Sequence, residues 1–326
     1  SMSGGEVVVV PQEHGLRGMI VCITDQAGQP GLMVLDVASG SSTVLASAGC
    51  SWRSVPAVAP TGDRVALQGA DGRLKIVKVA TDETESIGEP MPGLITPRWS
   101  PGGRSIMYEL DATTCVVGLD GTREQSSFVG AMAAWMGDGT RIAYVADSAL
   151  HARDTWAGAD AQLTEGPERI WGMAAGLDGV HTAYVASDDN GVLLRVVDVF
   201  TKEIWDVRTG RGIWPWSPAW SPDGKMLAYC VGGSEERGGQ RVSVCILDTR
   251  DIHARGVVEP HMVASIVSDP RCAGLAWSPR SQAVAIAARI AGSGRYAIHA
   301  FTPAGEGYQL TDQANCILPD WGPSPI

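Results

Sequence analysis

Residues 212–220 read GIWPWSPAW, placing Trp214, Trp216 and Trp220 within seven positions of a 326-residue chain that has only three phenylalanines. Indole offers a broad apolar face and one N–H donor. Clustered tryptophans can therefore wall a ligand pocket, and an arginine laid over one adds a cation–π contact of about 0.5–2 kcal/mol. Similar stretches recur as CSWRS (50–54), PERIWG (167–172) and SDPRCAG (268–274). The other reactive side chains lack the spacing of a known chemistry. Six histidines (14, 151, 181, 253, 261, 299) form no HxxxH or HxH pair, and seven cysteines form no CxxC or CxxxC pair. The residues thus point to no metal and no cofactor. No Gly-x-Ser-x-Gly elbow is present, and GGSEERGGQ (232–240) has no lysine or helix behind it to cradle phosphate.

What must position these side chains is a repeat. PAWSPDGKMLAY (218–229) is matched by PRWSPGGRSIMY (97–108), and more loosely by AAWMGDGTRIAY, MAAGLDGVHTAY, PAVAPTGDRVAL and LAWSPRSQAVAI. Aligned, the tryptophan column holds Val58, Trp99, Trp135, Ala175, Trp220 and Trp277, with Trp321 in PDWGP as a seventh. The spacings are 41, 36, 40, 45, 57 and 44 residues. Each repeat parses into a strand ending at the column, a tight Ser-Pro-Asp-Gly turn, an alternating second strand, a β-branched third strand often ending in Asp, and a short outer strand. No segment of helical length shows a 3.6-residue period, so the chain reads as all-β, and four strands per ~40 residues is the signature of a propeller.

The x-W-S-P-D-G-x-x-I-A-Y pattern resembles the TolB-like family of WD-type propellers over roughly residues 17–322. The resemblance implies a propeller and leaves function open, since such scaffolds serve as receptors, platforms and enzymes. Trp321 begins a repeat that the C-terminus cannot finish, whereas GMIVCIT (18–24), GLMVLDV and STVLA supply its remaining strands. The expectation is one domain of seven four-stranded antiparallel blades, closed by both ends of the chain in one blade. Six blades, as in many members of the family, is the alternative. Residues 1–16 and 323–326 are read as tails.

The column tryptophans read as packing between blades. Trp52, Trp171, Trp214 and Trp216, which depart from the column, fall where the previous blade's outer strand leads into the innermost strand, around one mouth of the channel. Collected there are Trp52, Arg53, Arg169, Trp171, Trp214, Trp216, Arg271 and Asn315. They form either a ligand pocket or a structural plug. Arg98 and Asp320, one place before the column where other repeats carry alanine, either pair with each other or orient a ligand. If the chain is an enzyme, His261, Asp320, Arg98, Cys272 and Cys316 are the candidates for catalysis, without a metal and not as a serine hydrolase.

Net charge is −11 and the basic residues are scattered, which disfavours nucleic-acid or anionic-membrane partners. No apolar run approaches eighteen residues. The start shows no charged n-region, and the unpatterned cysteines fit a reducing compartment, so the expected location is the cytoplasm, with export the alternative. The leading reading is a monomeric binding module that takes a small aromatic or apolar ligand, or a protein or peptide, at the mouth. A stand-alone lyase, cyclase or hydrolase of a small metabolite is the alternative.

Overall fold

The structure is a computed structural model and describes residues 14–26, 28–119, 125–166, 168–188, 191–207, 214–232, 240–255, 257–258, 261–268, 274–290, 293–311 and 315–325. Seven separate antiparallel sheets make the seven-bladed propeller that the repeat predicts. The innermost strands of blades 1 to 7 are Ala57–Val58, Arg98–Trp99, Ala131–Trp135, Arg169–Ala175, Trp214–Trp220, Ala276–Trp277 and Ile317–Gly322.

Blade 7 is the composite one. Ile317–Gly322 pairs with Met19–Gln26 in the register Met19↔Gly322, Ile20↔Trp321 and Val21↔Asp320. Gln29–Asp36 and Ser42–Leu45 complete the sheet. Pairing strands from the two chain ends leaves no cut edge in the ring. Leu16, read as part of a tail, is buried in the core that this blade shares with blade 6.

The column tryptophans hold neighbouring blades together in a repeated way. The indole N–H of Trp99 donates to the carbonyl of Ala57 at 2.9 Å, that of Trp220 to Ala174 at 3.0 Å, and that of Trp277 to Ala219 at 2.9 Å. Each acceptor lies one place before the column of the preceding blade. Trp321 donates instead to Arg17 at 3.1 Å. A buried indole has one donor to satisfy, and in these four the backbone of the preceding blade or of the N-terminal segment accepts it, whereas the buried Trp135 N–H has no partner among the described residues. The tight turns that follow carry Gly62, Gly103, Gly139, Gly179 and Gly224, all with φ between 66° and 76°, where a side chain would be strained.

One departure from the all-strand reading explains the 57-residue spacing before Trp277. A helix, Thr249–Arg255, and a short strand, Val257–Val258, are inserted between the third and outer strands of blade 5. Asp248 accepts from the Arg250 amide at the head of this helix, and Ile252 is buried in the core between blades 4 and 5. At seven residues the helix is too short for periodicity to reveal. Val257–Val258 then pairs in parallel with the outer strand of blade 4, Ile204–Val207.

Candidate functional site

Strands alternate in direction within a blade. The start of each innermost strand, the hairpin between strands two and three, and the end of the outer strand therefore share one face. The innermost strands differ in how far they reach toward it. In blades 1, 2 and 6 they have two residues, whereas in blades 4 and 5 they have seven. The mouth is consequently lopsided, with its lip raised at blades 4 and 5.

The longer innermost strands, those of blades 3, 4, 5 and 7, are bulged. The register breaks between Ala131 and Ala134 in blade 3, between Trp216 and Ala219 in blade 5, and opposite Val21 and Ile23 in blade 7. Met132, Ser217 and Leu318, each three places before the column, have φ of 53°, 52° and 54°. Non-glycine residues rarely occupy that region, and bulges of this kind re-aim the side chains beside them. In blade 4 the break falls between Ile170 and Gly172, so Trp171 is the extra residue. Its side chain is turned outward and is 50% exposed, with its N–H donating to Ser187 Oγ at 3.1 Å.

Arg169, two residues earlier, lays its guanidinium over the Trp171 ring at 4.1 Å from the centroid. The strand carrying this pair packs against the innermost strand of blade 5, whose first residue, Trp214, is 66% exposed. Two adjacent strands thus each present an exposed indole to solvent, one of them with a guanidinium laid over it. Trp216 belongs elsewhere, half-buried in the core between blades 5 and 6. Trp52, 40% exposed, and the exposed Arg53 sit on a turn that leads into blade 1, away from the raised lip. Asn315 uses its side-chain oxygen to accept from the Tyr296 amide at 2.9 Å, so it anchors a loop. Arg271 and Cys272 lie outside the described residues.

The residues considered for catalysis do not gather. Asp320 accepts from the amides of Val58 at 2.6 Å and Trp321 at 3.0 Å, which ties blade 7 to blade 1. Burial raises its pKa above the ordinary carboxylate value. The two amides and the charge of Arg98 oppose that rise without reversing it. Arg98 is exposed and makes no ion pair with Asp320. Cys316 is wholly buried against Cys22, whose thiol is pushed up by their shared hydrogen bond and by burial. His261 opens the outer strand of blade 5, His261–Ser268, opposite Ile246, at the end of the blade far from Trp214 and so away from the mouth. The run HMVASIVS hides that strand, because its burial alternates only in part and it follows an insertion.

Sequence reading also missed a cluster outside the mouth. Tyr144, a column-related tyrosine, donates its hydroxyl to Asp160 Oδ2, and His151 Nδ1 lies 3.4 Å from Asp160 Oδ1. These residues come from the second, third and outer strands of blade 3, and only the pairing of Tyr144 with His151 is implied by register. Among the described residues no group of three or more His, Cys, Asp or Glu side chains could hold a metal. Nor is any described helix long and apolar enough to cross a membrane.

No protein-family model matches the chain, and no curated protein matches it. Solved structures do. TolB from Acinetobacter baumannii superposes with a TM-score of 0.58 at 15% identity, covering 95% of this chain and 69% of that one. An oligogalacturonate lyase in complex with manganese gives 0.59 at 13% identity, covering 90% and 85%. The oligogalacturonate lyase of Vibrio parahaemolyticus gives 0.60 at 12% identity, covering 91% and 86%. At such identities the likeness is one of fold: these proteins and this chain are β-propellers.

Proposed function

We propose that this propeller is a binding module whose raised lip at blades 4 and 5 takes a small aromatic or apolar ligand, or an aromatic side chain of a peptide. The observation that carries the reading is Arg169 stacked on an outward-turned Trp171, on the strand that packs against the one opening with the exposed Trp214. Tryptophan is a costly residue to leave in water, and large exposed apolar groups rimmed by charge mark interaction sites. Arginine over indole makes a planar platform on which an aromatic ring or a carboxylate-bearing aryl group can rest. The backbone bulges hold that platform without help from a ligand, so binding need not order it. Binding is favoured over catalysis because the described catalytic candidates are spent on structure or far apart. The same reading keeps the propeller metal-free and working as a monomer in the cytoplasm, with its buried thiols reduced. Membership of the TolB-like family is part of the proposal and rests on the repeat and the shared fold.

Titrating indoles, aryl acids and aromatic peptides while following tryptophan fluorescence tests it. The expected result is saturable quenching by at least one class, weakened about tenfold by Arg169→Ala. Absence of any saturable ligand, or a ligand indifferent to Arg169→Ala, would overturn the assignment.

A further inference from the structure

A cavity of about 620 Å³ lies between blades 2 and 3, lined by Val129, Tyr144, Asp147, His151, Asp160 and Gln162 together with small residues. It shares no lining residue with the tryptophan lip. Its size falls within the range of small-molecule sites. Gly130 lets the Tyr144 ring lie against its backbone: a Cβ there would come within 2.2 Å of the ring. That ring is fixed on both sides, stacked on His151 at 5.4 Å and met edge-on by Phe128 at 4.7 Å. Two hairpin turns border the opening, Asp111–Ala112 and Asp147–Ser148, each with both residues at positive φ.

Most of the polar side chains in the cavity are already committed. The Tyr144 hydroxyl is given to Asp160, and burial and that bond raise its pKa, so it stays protonated. His151 Nδ1 faces Asp160 Oδ1 at 3.4 Å, and its Nε2 is buried without a partner among the described residues. Gln162 donates its amide to the Thr164 carbonyl at 2.8 Å, which leaves its oxygen to accept. Asp147 is exposed and has no ion pair or hydrogen bond. The nearby cation, Arg153, is committed to the Phe128 face at 5.1 Å and to Asp160 at 3.8 Å. Asp147 and Gln162 Oε1 therefore remain as acceptors, on a negatively charged rim beside the exposed Val129.

We propose that this cleft between blades 2 and 3 is a second site, which binds a small protonated amine. The ammonium donates to Asp147 and Gln162 Oε1, and a short apolar body lies along Val129 and Ala131. A donor-rich cation is the complement of a free carboxylate beside a free amide oxygen, and charge-assisted bonds to carboxylate are the stronger kind.

Calorimetry on the full chain with n-butylamine, n-butanol and n-butyrate tests this. The expected result is saturable binding of butylamine alone, weakened about tenfold by Asp147→Asn. Asparagine tolerates the positive φ of that turn, so this variant keeps its fold. Trp214→Ala should leave butylamine binding intact, which separates this site from the lip. Equal binding of butanol or butyrate, no saturable binding of butylamine, or binding unmoved by Asp147→Asn would overturn the proposal.

Discussion

Two kinds of tryptophan occupy this chain, and they do different work. Trp220 is buried, hydrogen-bonded to Ala174 and packed in the core between blades 4 and 5. Trp214, six residues earlier, stands in solvent. Truncating a buried tryptophan removes its transfer energy and leaves a cavity. Trp220→Ala should therefore cost about 3–5 kcal/mol in urea unfolding, and Trp214→Ala under about 1 kcal/mol. Equal losses would make Trp214 a structural plug. The contrast was legible in the sequence, because one residue obeys the repeat and the other does not. The role of Trp216 was not legible. It too departs from the column, but the bulge at Ser217 turns it into the core, and no sequence pattern announces a bulge at a non-glycine residue. Arg98 and Asp320 show the same limit. Their matched position suggested a pair, yet backbone amides reach Asp320 first.

Turns are the element in which sequence and structure agree most closely, and aspartate is the reason. After the innermost strands, Asp138, Asp178 and Asp223 accept from amides at Thr140, Val180 and Lys225. After the third strands, Asp36, Asp154 and Asp198 accept from Ser39, Trp156 and Phe200. Burial disfavours ionisation at Asp36, Asp138, Asp178, Asp198 and Asp223. Amide, hydroxyl and charged donors outweigh it and hold all five below the usual carboxylate value. At Asp154 the amides of Ala157 and Trp156 lead, with the same result. A depressed folded pKa means that the unfolded chain takes up protons first. The stabilisation is complete above about pH 4 and is lost as pH falls through the folded values. The urea midpoint should thus drop steeply from about pH 4 to pH 2, and Asp198→Asn should shallow that drop while retaining the turn, since an amide oxygen still accepts. A midpoint flat across this range would contradict the account. Contacts made across strands, such as Tyr144 with Asp160, were invisible to the same reading because no local signal fixes the outer strand's register.

At the scale of the whole molecule, the repeat dictated the ring and the two chain ends closed it. Removing residues 312–326 would take away the innermost strand of blade 7, Trp321 and the Asp320 bond to blade 1. The shortened chain should lose its cooperative thermal transition, and one that melts like the full chain would show that closure contributes little. Function was less legible than fold, since a propeller's blades follow from local repeats whereas its mouth depends on how far each innermost strand extends. That extension, long in blades 4 and 5 and short in blades 1, 2 and 6, is what singles out the Arg169, Trp171 and Trp214 lip. The most direct test of that lip titrates the tightest aromatic ligand against the wild type, Trp214→Ala and Trp220→Ala at a temperature where all three are folded. The account predicts affinity reduced about tenfold in Trp214→Ala and retained in Trp220→Ala. Retained affinity in Trp214→Ala with loss in Trp220→Ala would contradict it.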